Sequence, residues 1–284
     1  MHIDIPRHTD TMTPYARTNI TQFGLRKTGK YMTDHLQQGI LLEEAQRYQE
    51  ALAAYALAAK EKPENPESLL RQGALLDEVG DYPNALLAFD QALALDPYNA
   101  YALSARGDIL STLGRFDAAI ADFSDAILID PEDANAYYNR GLAYASLDQN
   151  ELAIADFTVA VQLDPMHGGA YNNMGLVRFK TNDYIAALED FSNAIRVRQG
   201  FACSFTHRAR VFEALGKAND AIDDYTCALQ ISPTDPTTLF FRGALYFRQQ
   251  ENEKGREDLN LLLQTAPADN HFRTLAKQKL ESGQ

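Results

Sequence analysis

The sequence predicts an all-α protein built as a linear stack of helical hairpins, and three observations carry that expectation. A small residue recurs every 34 positions: Gly39, Gly73, Gly107, Gly141, Gly175, Ala209 and Gly243. Twelve residues beyond each stands a second small residue (Ala51, Ala85, Ala119, Ala153, Ala187, Ala221, Gly255), and four further on a ring or Leu (Tyr55, Phe89, Phe123, Phe157, Phe191, Tyr225, Leu259). Three more positions bring Ala58, Ala92, Ala126, Ala160, Ala194, Ala228 and Leu262, and each period closes near a proline (Pro63, Pro97, Pro131, Pro165, Pro233, Pro267), with Gln199 in its place in the fifth.

Each position has a physical task. The Gly/Ala pair marks where two helices cross, because small side chains let backbones approach. The ring fills the space beside the crossing. Small, ring and small residues spaced four and then three apart share one helical face. Proline cannot continue a helix and ends the second one. One hairpin cannot bury its apolar face alone, so it stacks on its neighbours. The register divides the chain into seven hairpins at 32–65, 66–99, 100–133, 134–167, 168–201, 202–235 and 236–267. Residues 268–284 read as a capping helix, with Phe272, Leu275, Ala276 and Leu280 on its apolar face and Arg273, Lys277 and Lys279 opposite.

Composition narrows the functional classes. Apolar residues make up 45% of the 284, and the formal net charge is −13. An acidic chain repels phosphate backbones, so nucleic acid is not an expected partner. No stretch approaches the roughly 18 apolar residues of a membrane span, so no membrane insertion is expected. Cys203 and Cys227 make no disulfide framework and no metal motif. Neither a phosphate loop nor a nucleophile–base arrangement stands out, so no cofactor, no metal site and no enzyme activity are expected. Residues 1–31 carry Arg7, Arg17, Arg26, Lys27 and Lys30 against Asp4 and Asp10, and lack the apolar core of a secretory signal. They read as a basic, flexible arm on a cytoplasmic protein, with an organelle-import segment as the alternative.

These residues resemble the tetratricopeptide-repeat (TPR) family, whose pattern of small residues, aromatics and a closing Pro runs on a 34-residue period. The fullest match runs from Ala136 to Tyr144 and then from Ala153 to Phe157. The resemblance implies a right-handed superhelix with a concave groove lined by the first helix of each hairpin. It also implies a non-catalytic scaffold or adaptor that binds a peptide or partner helix in that groove. A self-assembling structural protein, associating through repeat ends or the amino-terminal arm, is the alternative.

The repeats also align the chain with itself. The residue before the small position is Gln38, Gln72, Arg106, Arg140, Met174, Arg208 and Arg242; the residue before the ring is Ala54, Ala88, Asp122, Asp156, Asp190, Asp224 and Asp258. Gln goes with Ala, Arg with Asp, and only Met174 breaks the rule. Salt bridges are therefore expected between the two helices for Arg106–Asp122, Arg140–Asp156, Arg208–Asp224 and Arg242–Asp258. They recur instead of converging, which marks them as structural.

The family register places the groove at first-helix positions two or three before the small residue and one, four or five after it. At the amino-terminal end these are Glu43, Glu44, Glu67, Asp77, Glu78 and Asp108, with Arg71 the exception. In the middle they are Tyr101, Tyr138, Asn139, Asn172 and Asn173, whose amides can both donate to and accept from a partner's backbone. Toward the carboxy-terminal end they are Lys180, His207, Arg210 and Arg248 among Phe179, Phe240, Phe241 and Phe247, with Phe240 and Phe241 open to cover by the capping helix. The charges would direct a peptide's basic end toward the acidic residues and its acidic end toward Lys180, Arg210 and Arg248. The Lys and Asn spacing with which some relatives clamp chaperone tails is absent. The fifth hairpin is irregular: it opens on Gly168-Gly169, carries Arg178 where others have Leu, Tyr or Phe, and ends Arg198-Gln199-Gly200, which suggests a softer joint or simple drift.

Overall fold

A computed structural model describes residues 34–198 and 200–282. The basic arm expected at residues 1–31, and Gln199, lie outside the described residues. The described residues form helices joined by short turns, without a strand among them. They are α1 (Asp34–Glu44), α2 (Tyr48–Glu61), α3 (Glu67–Glu78), α4 (Tyr82–Leu95), α5 (Ala100–Thr112), α6 (Phe116–Ile129), α7 (Ala134–Ser146), α8 (Asn150–Leu163), α9 (Gly168–Lys180), α10 (Tyr184–Val197), α11 (Ala202–Ala214), α12 (Ala218–Ile231), α13 (Pro236–Arg248), α14 (Asn252–Thr265) and α15 (His271–Ser282). From α2 onward every second helix begins 34 residues after the last. The helices group into two compact units that divide between Gln149 and Asn150. The fold is the all-α TPR solenoid class.

The turns explain the tightness of each hairpin. First helices end on a residue in the left-handed region: Gly80, Gly114 and Gly216, but also Gln46, Asp148, Asn182 and Gln250. Around Gly80 the amides of Gly80 and Asp81 return to the carbonyls of Asp77 and Leu76, which satisfies the helix end. Asp81, Asn99, Asp133, Asp183 and Asp235 then cap following helices, accepting from backbone amides.

The repeat positions pack as their chemistry requires. Phe89, Phe123, Phe157 and Phe191 are fully buried, as are Tyr55 and Tyr225. A methyl group on Gly73, Gly107 or Gly175 would meet the ring 16 residues on at 2.8–2.9 Å. Ring and glycine therefore specify each other. In unit 1, Phe89 packs with Ala85, Leu76, Leu93 and Ile109 across consecutive hairpins. In unit 2, α15 lays Phe272, Ala276 and Leu280 against Leu239, Phe247, Leu259 and Leu262. Arg273 departs from its expected solvent-facing place. Its guanidinium donates to the carbonyls of Leu263 at 2.5 Å and Ala266 at 2.8 Å, capping the end of α14.

Three of the expected ion pairs lie within one unit, and all three form. Arg106, Arg208 and Arg242 each donate from Nε and Nη2 to both oxygens of Asp122, Asp224 and Asp258, at 2.7–2.8 Å. The remaining nitrogen, Nη1, reaches back to the preceding hairpin's second helix. It meets Asp90 (2.6 Å), Ser192 (2.9 Å) and Thr226 (3.0 Å), and Arg140 meets Ser124 in the same way at 3.0 Å. Arg106, Arg208 and Arg242 thus each tie their own hairpin together and fasten it to the one before. The fifth hairpin keeps the bond by another route. Asp190 is 2% exposed and accepts two bonds from Arg178 Nη1 at 2.8 Å, from one turn further along α9 than Met174. Arg178, an irregularity in the sequence, replaces the arginine that Met174 displaced.

Candidate functional site

In unit 1 the first-helix face is a row of carboxyl, phenol and amide groups. Asp77 sits near the end of α3, Tyr101 and Asp108 on α5, and Tyr138 and Asn139 on α7. Asn139 Nδ2 donates to Asp108 Oδ1 at 2.7 Å. Burial pushes the Asp108 carboxyl up to about 8, helped by Asp77 and Asp133 and opposed by the Asn139 bond. Burial and then Glu78 push Asp77 up to about 6. Burial also raises Tyr101, which lies edge-on to Phe89 with centroids 6.4 Å apart. Near neutral pH burial therefore holds the Asp108 carboxyl toward its protonated form.

Two neighbours temper the acidity expected from the sequence. Glu43 accepts from the hydroxyl of the ring residue Tyr55 at 2.5 Å. Glu67 pairs with Arg71 at 2.8 Å along α3. Tyr138 and Asn139 are half-buried.

In unit 2 the same helical positions carry cations and rings. Arg210 on α11 lies with its guanidinium carbon 5.3 Å from the centre of Phe179 and 4.9 Å from that of Phe241. Phe241 stacks on the core ring Tyr225 at 6.5 Å with planes 8° apart. On its other side Phe272 of α15 meets both Phe240 and Phe241, at 5.2 and 5.9 Å. Phe179 meets Tyr184 at 5.8 Å. The capping helix therefore covers part of the aromatic surface.

Several residues expected in the groove are buried or already paired. Asn172 is 2% exposed, and its Oδ1 lies 3.0 Å from both Ser204 Oγ and His207 Nδ1. Asn173 is also buried. As they stand, neither amide is open to a partner's backbone. His207 leans on Phe191, and burial, with Arg210 nearby, pushes its imidazole down to about 3. It is neutral and contributes packing, not charge. Phe247 is 5% exposed and belongs to the core beside Leu259. Arg248 is ion-paired to Glu213, which also accepts from the Tyr225 hydroxyl. Lys180 is exposed at the end of α9. Arg210 is the half-buried cation here, and it has no hydrogen-bond acceptor among the described residues.

Sequence reasoning missed Glu213. It stands where Glu43 does in the first hairpin, and Tyr replaces Phe as the ring in only those two hairpins. The same internal comparison that revealed the Arg–Asp pairs would have found it.

No helix of the described residues is long and apolar enough to cross a membrane. Four family profiles match the chain: TPR repeat over residues 107–148, and tetratricopeptide repeat over 36–100, 88–121 and 134–167. No curated protein matches in sequence. Among solved structures, MamA from Desulfovibrio magneticus is 27% identical with a TM-score of 0.56, over 60% of this chain and 99% of that one. A tetratricopeptide repeat protein from Parabacteroides merdae is 20% identical with a TM-score of 0.67, over 87% and 98%. YrrB, described as a TPR protein with an unusual peptide-binding site, is 23% identical with a TM-score of 0.56, over 66% and 96%. The 34-residue register, the packing it produces and these matches agree that the chain belongs to the tetratricopeptide-repeat family.

Proposed function

We propose that the protein is an interaction scaffold: residues 32–267 form an array of seven hairpins, and the first-helix face of unit 2 holds an acidic segment of a protein partner. The observation that carries this reading is Arg210. Its guanidinium is half-buried between Phe179 and Phe241 and has no acceptor among the described residues. A guanidinium does not lose its charge at any ordinary pH, and ring faces satisfy its π-surface but not its N–H edge. A carboxylate is the group that completes it, by two parallel hydrogen bonds. Phe179 and Phe241 supply apolar area beside that anchor. Lys180, at the end of α9, adds positive charge.

In unit 1 the corresponding face suits a cationic side chain, which would draw the proton from Asp108 on binding. Tyr101, Tyr138 and Asn139 line that site.

The test is a fluorescence-anisotropy titration with short peptides graded in net charge. Acidic peptides are expected to bind unit 2, and Arg210→Ala to weaken them by about tenfold or more, the loss typical of removing one partner of a desolvated charge pair. Arg210→Lys should recover little, because an ammonium lacks the fork. Equal affinity of wild type and Arg210→Ala for acidic peptides would reject the reading.

A further inference from the structure

Arg210 has an acid on its own helix that could satisfy it, yet the two are not bonded. Glu213 lies three residues further along α11, at a spacing where helical side chains meet. A carboxylate so placed is the natural partner of a guanidinium that lacks one. Glu213 is engaged elsewhere. Its Oε1 accepts from the Tyr225 hydroxyl on α12, and its Oε2 accepts from Arg248 Nη2 on α13. The Glu213 side chain is only 12% exposed, so it needs those donors. Tyr225 is fully buried and stacks on Phe241, one of the two rings beside Arg210. Arg248 is exposed at the end of α13. The first hairpin has the same tyrosine–glutamate bond without the conflict. Glu43 accepts from Tyr55, while Ile40 stands in the place of Arg210 and Glu78 in the place of Arg248. Where the first cation is absent, so is the second.

We infer, on the reading of Arg210 as the anchor for an acidic partner, that Arg248 and Tyr225 are positioning residues which hold Glu213 away from Arg210. Each carboxylate oxygen of Glu213 has one donor, so turning toward Arg210 would cost both bonds. The tyrosine hydroxyl alone is a weak tether, because it is a neutral donor. A bond between two charged groups is roughly twice as strong. Without Arg248, the guanidinium one turn away on α11 becomes the better partner for Glu213. Arg248 therefore acts through Glu213 and not on the peptide. It leaves the N–H edge of Arg210 open, so that an incoming carboxylate does not have to displace one from the same helix. A residue of the seventh hairpin thereby governs a site centred on the sixth.

The Nε–H magnetic resonance signal of Arg210 in the full chain tests this without a ligand, assigned by its loss in Arg210→Met. Arg248→Met keeps the apolar stem of an exposed side chain. It is expected to move the Arg210 signal downfield and slow its exchange with water, as Glu213 turns onto the guanidinium. Adding Glu213→Gln should return the signal to its wild-type position. Glu213→Gln alone should leave it unmoved. The same variants are then titrated with a fluorescein-labelled tetraglutamate peptide by anisotropy. Arg248→Met should bind about fivefold more weakly, the upper end for competition from a partly exposed ion pair. Arg248→Met/Glu213→Gln should bind as wild type does, and Tyr225→Phe should show a smaller loss than Arg248→Met. An Arg210 signal unchanged by Arg248→Met would overturn the inference. So would a loss of affinity that Glu213→Gln does not restore, since Arg248 would then hold the peptide itself. If wild type binds no acidic peptide while the signal moves and returns as described, the anchor reading falls and the positioning role stands.

Discussion

The first-helix faces of unit 1 and unit 2 use the same backbone positions and solve the same electrostatic problem in opposite ways. One residue after the small position stands Asp108 in one and Arg210 in the other. Both side chains are half-buried, and burial penalises charge in each. A carboxyl has an escape: it keeps its proton, and Asp108 does so up to about pH 8. A guanidinium has none. It must be given ring faces, and Arg210 has two. The TPR frame does not decide which charge a face carries. It decides how deeply that charge is held, and the chemistry of the group then dictates what must surround it.

The contrast stands on a sound frame behind each face, and breaking that frame has the largest expected effect. Arg242→Gln leaves Asp258 buried without its partner, and should cost about 3 kcal/mol in urea unfolding, the usual scale for a broken buried pair. The second hairpin shows a neutral alternative in Gln72 and Ala88. Adding Asp258→Ala to Arg242→Gln is expected to return more than half of the loss. Next comes the fifth hairpin. Arg178→Leu strands Asp190 and should cost about 2 kcal/mol. Met174→Arg in that background rebuilds the pair from the regular position, and the double variant should unfold near wild type.

A smaller effect separates the two faces by pH. Asp108 has a folded pKa raised to about 8 from 3.8. Its folded form therefore binds the proton more tightly than the unfolded chain, and the stability it contributes is lost as pH rises through that window. His207 has the opposite sign, since its pKa is lowered to about 3 and it destabilises only as pH falls below 6.5. Between about pH 6.5 and 8 the carboxyl dominates. Stability should fall across that range by about 1 kcal/mol, and Asp108→Asn should flatten the slope. The smallest effect sharpens the claim about Arg210. Arg210→Met keeps an unbranched apolar chain between the two rings and is expected to change unfolding stability by less than about 1 kcal/mol. It should nonetheless abolish the preference for acidic peptides. A large loss of stability would make Arg210 a structural residue like Arg242.

How far the sequence could be read follows from what each position depends on. Ring, glycine and Arg–Asp positions are set by contacts inside one hairpin or between neighbours, and these repeat, so seven copies average out the noise. Groove positions are set by depth, which a register alone does not report. Asn172 and Asn173 lie on the expected side of α9, yet Ser204 and His207 of α11 close over Asn172. Arg248 reads as a free cation until Glu213, 35 residues earlier, is found beside it. The cover that the sequence left open for Phe240 and Phe241 comes from Phe272, on the capping helix outside the repeat pattern. Arg178 looks like decay in one dimension and is a repair in three.

The close fit of ring to first helix has a consequence for how such an array can change over time. Where the ring is Tyr, a glutamate 12 residues earlier receives its hydroxyl: Glu43 for Tyr55, Glu213 for Tyr225. In the seventh hairpin that earlier position is Phe247, the ring has shrunk to Leu259, and the partner small residue is Gly255, where a methyl group would strike Phe247 at 2.8 Å and the Gly243 carbonyl at 2.9 Å. In the first, sixth and seventh hairpins these three sites form a matched set. A single exchange inside the set leaves a buried hydroxyl or a collision, whereas copying a whole hairpin carries the set intact. Inheritance by duplication of entire modules is therefore far easier for this core than drift one residue at a time, and the outward-facing positions are left free to diverge in charge.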